Sequence, residues 1–320
     1  MPSYPFPSLA GIRGYHAKAI PMSDVHATAL KALVPRHDFL IGIDSDGAAF
    51  DTMELKQKEC FIPQIVRVFQ LQRISEYVRE TAEFVNLYSR WRGANRFPAL
   101  LRTLDFLRER PEVRRRGAQI PGADSLRKWV SEETRLGNPA LQAKVEETGD
   151  PFLRQVLEWS LAVNAAVAAM GQGVEPFPGV RECLEKAGAR ADLIVVSQTP
   201  LEALEREWRG HGMDRLVRVI CAQEHGTKSE HLELTAGGKY PPDHVLMIGD
   251  AYGDLQAAQS NAALFFPIHP GKEDASWQDL QGEGLERFFA GAFAGEYQRS
   301  LLEAFKFILP ENPRWETRTG

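Results

Sequence analysis

The sequence predicts an α/β fold: an open parallel sheet with helices on both faces, interrupted after its first strand by an all-helical insert. Two observations carry this. From residue 176 onward, short apolar runs alternate with helical patterns, as in "ADLIVVSQ" (191–198), "LVRVICA" (216–222), "DHVLMIGD" (243–250) and "AALFFPIH" (262–269). Each has strand length and is continuously apolar, as expected of parallel strands buried on both faces. A matching run, "FLIGID" (39–44), stands alone near the N-terminus, and the long stretch after it contains no convincing strand.

The elements follow in order. Residues 1–36 offer one helical pattern, "SDVHATALKALV" (23–34). Beyond "FLIGID", residues 52–174 read as helices: Leu100, Leu104 and Leu107 recur at helical spacing, as do Leu153, Leu157 and Leu161. "NRFPAL", "QIPGADS" and "LGNPAL" supply the breaks. The domains expected are therefore a discontinuous sheet domain, 1–51 with 175–320, and a helical insert, 52–174. Within the former, "PGVRECLEKAGA" and "GDLQAAQSNA" are crossover helices, and "LERFFAGAFAGEYQRSLLEAFKFILP" is a helical extension packing on the sheet.

Composition narrows the function classes. The 320 residues are 43% hydrophobic and 25% charged with a net charge of -5, which suits a globular enzyme and implies no nucleic-acid partner. Charge is segregated: residues 52–174 hold 19 Lys and Arg against 15 Asp and Glu, the remainder 19 against 28. That bias is read first as solvated helix faces; the functional alternative is an attraction between the lobes or toward an anionic ligand. Cys60, Cys183 and Cys221 are odd in number and widely spaced, so buried thiols are expected rather than disulfides or a zinc site. No basic-then-apolar leader and no apolar run of about 20 residues occurs, so a cytoplasmic protein without a membrane partner is expected. Oligomeric state leaves no trace in the sequence.

In an open α/β sheet, ligands collect at the carboxyl ends of the strands. The polar residues closing the apolar runs are therefore the candidates: Asp44 and Asp46 after "FLIGI", Ser197 after "DLIVV", Lys228 in "EHGTKSEHL", and Asp250 with Asp254 after "HVLMIG". Singly, each reads as a turn, a helix cap or a solvated lysine. Together and in this order, they resemble the haloacid dehalogenase-like superfamily of phosphohydrolases. Its DxDGxxxD motif is matched by Asp44 to Asp51, its strand-ending Ser or Thr by Ser197, its Lys by Lys228, and its GDxxxD motif by Gly249 to Asp254. Ala48 stands where Thr or Val is common, and "GTKSEH" lacks the proline-rich form of relatives.

The resemblance implies a Rossmann-like core whose insert is a helical C1-type cap, and a phosphatase mechanism. Asp44 would be the nucleophile that forms an aspartyl-phosphate, Asp46 the acid and base, and Ser197 with Lys228 the phosphate-binding pair. Mg²⁺ would be held by Asp44, by Asp250, by Asp46 through its backbone carbonyl, and by Asp254 from behind. Crowded carboxylates repel by roughly 4 kcal/mol per pair at 4 Å and an effective dielectric near 20, so a cation is physically sensible there. A capped site implies a small phosphorylated metabolite. In "YSRWRGANRFPAL", Arg92, Asn95 and Arg96 (with Arg90) flank Gly93 at a turn that could reach the substrate. Asp51 is read as a hinge or helix cap, and His269 and Trp277 as structural. A phosphomutase of the same superfamily and a catalytically quiet binding protein are the alternatives; Asp46, Asp250 and Asp254 argue against a dehalogenase.

Overall fold

The computed structural model describes residues 28, 30–170, 173–313 and 315. Strands β1 (Phe39–Ile43), β2 (Ala191–Val196), β3 (Val219–Cys221), β4 (Val245–Gly249) and β5 (Leu264–Pro267) form one parallel sheet in the order β3-β2-β1-β4-β5. The first strand is thus central, flanked by strands that follow it only after the insert. Side chains alternate between two cores as strand periodicity requires: Ile41, Ile43, Leu193, Val195 and Ile248 enter one, and Leu40, Ile194, Val196 and Met247 the other. Both faces are covered, which is why these strands read as unbroken apolar runs.

Between β1 and β2 the described residues contain helices and no strand. They are α1 (Thr52–Leu55), a π-helical turn (Lys56–Phe61), α2 (Ile62–Val68), α3 (Ser75–Leu87), α4 (Arg96–Glu109), α5 (Pro111–Arg115), α6 (Asp124–Glu132), α7 (Asn138–Thr148) and α8 (Pro151–Ala169). Leu100, Leu104 and Leu107 lie in the insert's own core. The second stripe is different from its expectation: Leu153 is buried, but Leu161 is 52% exposed, and the inward face of α8 runs through Val156, Trp159 and Val163. "NRFPAL" is not a break but the first turn of α4, with Asn95 as its cap and the true turn just before it.

The remaining helices are α9 (Val180–Gly188), α10 (Leu201–Gly210), α11 (Lys228–Ala236), α12 (Tyr252–Ser260), α13 (Glu273–Asp279), α14 (Leu285–Phe289) and α15 (Glu296–Ile308). Trp277, Leu285 and Phe288 pack on one face of the sheet and Phe305 on the other. The helix expected over 23–34 lies largely outside the described residues. β3 is shorter than expected because Asp214–Leu216 forms a 3-10 turn ahead of it; Arg218, just before the strand, pairs with the buried Asp192 of β2. Asp192 also accepts the backbone N–H groups of Arg36 (2.7 Å) and His37 (3.1 Å) and the Tyr240 hydroxyl (2.8 Å), anchoring the chain before β1. All three cysteines are free and buried. No described helix is long and apolar enough to cross a membrane.

The chain leaves the sheet and returns to it at one seam. Phe50 bridges Asp46 and Pro176, and the Phe177 N–H donates to the Ala49 carbonyl at 2.9 Å. Ala48, the departure from the common motif, is fully buried there, and its carbonyl accepts the Trp277 indole N–H at 2.8 Å. A small side chain at Ala48 suits this close packing. Asp51 occupies the cap position of α1, though its side chain makes no capping bond.

Candidate active site

The sheet order brings the strand-ending residues to one edge. Asp44 follows β1 and its N–H donates to the Ile248 carbonyl of β4 at 2.9 Å, so the first and fourth strands hand their carboxylates to the same place. Ligand oxygens of Asp44, Asp250 and Asp254 lie within 4.8 Å of one another, all three residues buried. Lys228, at the start of α11, reaches between them, with Nζ 2.9 Å from Asp44 Oδ2 and 2.6 Å from Asp254 Oδ1. Asp254 is further fixed by the Ala251 N–H at 3.0 Å. Gly249 makes room for it: a Cβ there would lie 2.3 Å from the Asp254 carboxyl carbon.

Electrostatics here follow from burial and crowding. Burial and the neighbouring carboxylates raise the Asp44 pKa well above the usual range, against the pull of Lys228, and burial likewise raises Asp254. For Lys228, burial favours the neutral amine, but Asp254 and Asp44 outweigh it and hold the ammonium charged. One oxygen of this cluster is unsatisfied: Asp250 Oδ1 is buried and has no hydrogen-bond partner. A buried carboxylate oxygen without a donor is costly and calls for a cation. The all-oxygen donor set fits a hard divalent ion such as Mg²⁺.

Asp46 faces elsewhere. Its carboxylate is paired with Lys56 Nζ at 2.8 and 3.0 Å and accepts from the hydroxyls of Thr52 and of Thr199, the latter at 2.8 Å. Burial raises its pKa, but these donors more than offset that and hold it below the ordinary value. Behind it, Ser45 Oγ donates to Glu207 (3.2 Å) and accepts from the Trp208 indole (3.0 Å). Burial and the charge on Asp46 push Glu207 up to about 7. Ser197 ends β2, is 2% exposed and accepts the Thr199 N–H at 3.2 Å.

These groups line a cavity of about 440 Å³ between the sheet edge and the insert. Asp44, Asp46, Ser197 and Lys228 form its floor, and Lys56, Phe61 and Arg96 are among the residues facing them. Arg96 is tied by Nη1 to Ser160 Oγ (3.0 Å) and Asn164 Oδ1 (2.7 Å), and its guanidinium lies 5.0 Å from the centre of the Phe61 ring. Asn95 does not line the cavity. Its Oδ1 accepts the Phe97 N–H as the cap of α4 and its Nδ2 donates to Leu136, so its polar atoms serve the insert's own structure. Arg92 reaches the site but bonds Asp250 rather than the open cavity. Arg90 turns outward to Glu311. His269 lies outside the cavity, 6.4 Å from the Phe305 ring, and Trp277 is buried packing.

Lys56, Thr52 and Thr199 escaped the sequence reading. A lone lysine or threonine carries no distinguishing pattern, although Thr52 directly follows the Asp44–Asp51 motif and Thr199 lies two residues beyond Ser197.

A sequence profile of the haloacid dehalogenase-like hydrolases matches residues 131–266, a span containing Ser197, Lys228, Asp250 and Asp254. That match and the sheet-edge cluster agree. Residues 131–266 thus resemble the haloacid dehalogenase-like hydrolases. Superfamily structures similar to the chain include a haloacid dehalogenase-like hydrolase from Bacteroides fragilis, 18% identical over 74% of this chain and 92% of that one, with a TM-score of 0.43. A predicted phosphoglycolate phosphatase from Haemophilus somnus is 17% identical over 74% and 88%, with a TM-score of 0.39. CbbY from Rhodobacter sphaeroides, in complex with phosphate, is 17% identical over 72% and 84%, with a TM-score of 0.38. Comparison with curated proteins gave no significant match.

Proposed function

We propose that the chain is a haloacid dehalogenase-like hydrolase, a Mg²⁺-dependent phosphatase that cleaves a small phosphorylated metabolite in the cytoplasm. The observation that carries this reading is the buried Asp44–Asp250–Asp254 cluster, crossed by Lys228 and left with one unsatisfied carboxylate oxygen. Asp44 and Asp250 would hold the cation directly and Asp46 through its backbone carbonyl. Asp254, whose two oxygens already have protein donors, would act from behind. Bound Mg²⁺ would supply neutralisation of charge on the nucleophile and the phosphoryl group.

Asp44 attacks phosphorus as the bond to the leaving alcohol's oxygen breaks, forming the aspartyl-phosphate, and water then displaces Asp44 to release inorganic phosphate. Ser197 and Lys228 hold the non-bridging oxygens, where transition-state charge is spread. Asp46, held ionised by Lys56 and two threonines, suits the second half-reaction, in which it takes a proton from the attacking water. To serve first as the acid toward the leaving alcohol, it must turn from Lys56 to that oxygen. Arg96 belongs to substrate recognition: it lies in the cavity wall, its guanidinium held by Ser160 and Asn164 rather than by a carboxylate. The cavity size is that of a small-molecule site.

Phosphate release from a panel of phosphorylated metabolites, with Mg²⁺ and with EDTA, tests the reading. Activity surviving EDTA, or persisting in Asp44→Asn, refutes the mechanism. Conversion of a substrate to its phosphorylated isomer without phosphate release would make it a mutase, and inertness throughout a binding protein.

A further inference from the structure

Phosphoryl transfer as described above leaves Arg92 without a role. Its side chain is 3% exposed and fully engaged: Nε on Asp250 Oδ2, Nη1 on the Leu87 carbonyl at 3.0 Å, and Nη2 on the Gly47 carbonyl at 3.5 Å. Arg92 lies in the turn between α3 and α4 of the cap, Asp250 at the end of β4, and Gly47 in the loop after β1. One cap side chain therefore spans both core loops that carry the carboxylates. The backbone is shaped around it: Gly47 has φ +83°, and a Cβ there would come within 2.5 Å of both Arg92 Nη2 and Asp250 Oδ2. Asp250 is thus divided, with Oδ2 given to Arg92 and Oδ1 left without a partner.

We infer that Arg92 is a cap-borne counter-ion of the metal site, a positioning residue that weakens cation binding there and strengthens binding of the phosphate dianion. The inference rests on the metal-dependent reading above. Cation binding requires ionised carboxylates. Asp44, Asp250 and Asp254 then carry three negative charges, of which Lys228 and Arg92 offset two. Asp46 and Lys56 cancel each other. A dication brings the site to one net positive charge, where without Arg92 it would be neutral. Asp51, Glu54, Glu273 and Glu207 are common to both cases, so a phosphate dianion entering the cavity is attracted more strongly in the first than in the second. Arg92 and a cation on Oδ1 share one carboxylate in a water-poor setting, where like charges repel more than in solvent. By linkage, the cation must also loosen the hold of Arg92 on Asp250, and with it the seating of the cap.

Calorimetric titration of Mg²⁺ into wild type, Arg92→Lys and Arg92→Gln, then of inorganic phosphate into each Mg²⁺-saturated protein, tests this. Removing a charge this close predicts Mg²⁺ binding to Arg92→Gln on the order of tenfold tighter and phosphate binding on the order of tenfold weaker, with Arg92→Lys near wild type. Unchanged or weaker Mg²⁺ binding in Arg92→Gln overturns the inference alone; failure of wild type to bind Mg²⁺ overturns the metal reading with it. Should the variants not fold, wild type still decides: the Arg92 Nε resonance must shift as Mg²⁺ is added, and a stationary resonance refutes the coupling.

Discussion

Replacing Lys228 by methionine keeps most of the buried stem and removes only the ammonium that lies 2.9 Å from Asp44 and 2.6 Å from Asp254. The two carboxylates would then face each other and Asp250 with no lysine between them. Breaking a buried ion pair by deleting one partner costs roughly 3–5 kcal/mol. In a protein of this size each kcal/mol moves the melting temperature by about 1–2 °C, so the expected loss is roughly 3–10 °C. The pH dependence has a definite sign. Asp44 and Asp254 already have pKa values above the unfolded reference, and losing Lys228 removes the influence that lowers them. A carboxyl raised in the folded state adds stability below its unfolded pKa and loses it as pH rises through the folded one. Thermal unfolding in EDTA should therefore show a larger deficit at about pH 8 than at about pH 5. Added Mg²⁺ should recover part of it by binding only the folded state. A loss below about 2 °C, or an equal loss at both pH values, would refute the account of Lys228 as the counter-ion of a buried carboxylate cluster.

Asp192→Asn should cost about 2–4 kcal/mol by denaturant titration, because Arg218, Tyr240 and the Arg36 and His37 amides all donate to this buried carboxylate. Although burial opposes it, these donors hold its pKa below the ordinary value, so its contribution is present above about pH 4 and lost on acidification; the variant should show a flatter acid limb. Gly249→Ala would force a Cβ to within 2.5 Å of Asp254 and displace it, which predicts a loss of about 1–3 kcal/mol and of Mg²⁺-dependent phosphate release; full activity would show that Asp254 does not organise the site. Arg96→Ala should raise KM for the true substrate about tenfold or more with little change in kcat, since a lost binding contact acts on ground and transition states alike; an equal fall in kcat would move Arg96 into the chemistry.

The sheet was legible in the sequence because a strand buried on both faces has no polar positions to blur it, and "FLIGI", "ADLIVV" and "VLMIG" are each such a run. Strand ends were legible for the complementary reason: Asp44, Ser197 and Asp250 are the first polar residues after apolar runs. The α8 stripe was misread at Leu161 because an alanine-rich helix offers several apolar faces, and only the packing of Trp159 and Val163 selects one.

The cap arginines mark the boundary between the two kinds of information. "SRWRGANR" disclosed a polar turn on an insert, with four groups chemically able to meet a substrate. Their fates diverge over a few residues of chain: Arg90 goes to Glu311, Arg92 to Asp250, Asn95 to the end of its own helix and Arg96 to the cavity wall. Local pattern encodes burial and turn geometry because those depend on neighbours in sequence. The partner of a long side chain depends on which distant loop the fold brings beneath it, so the pairing of Arg92 with Asp250, like that of Lys56 with Asp46, was decided by the docking of the cap on the sheet edge.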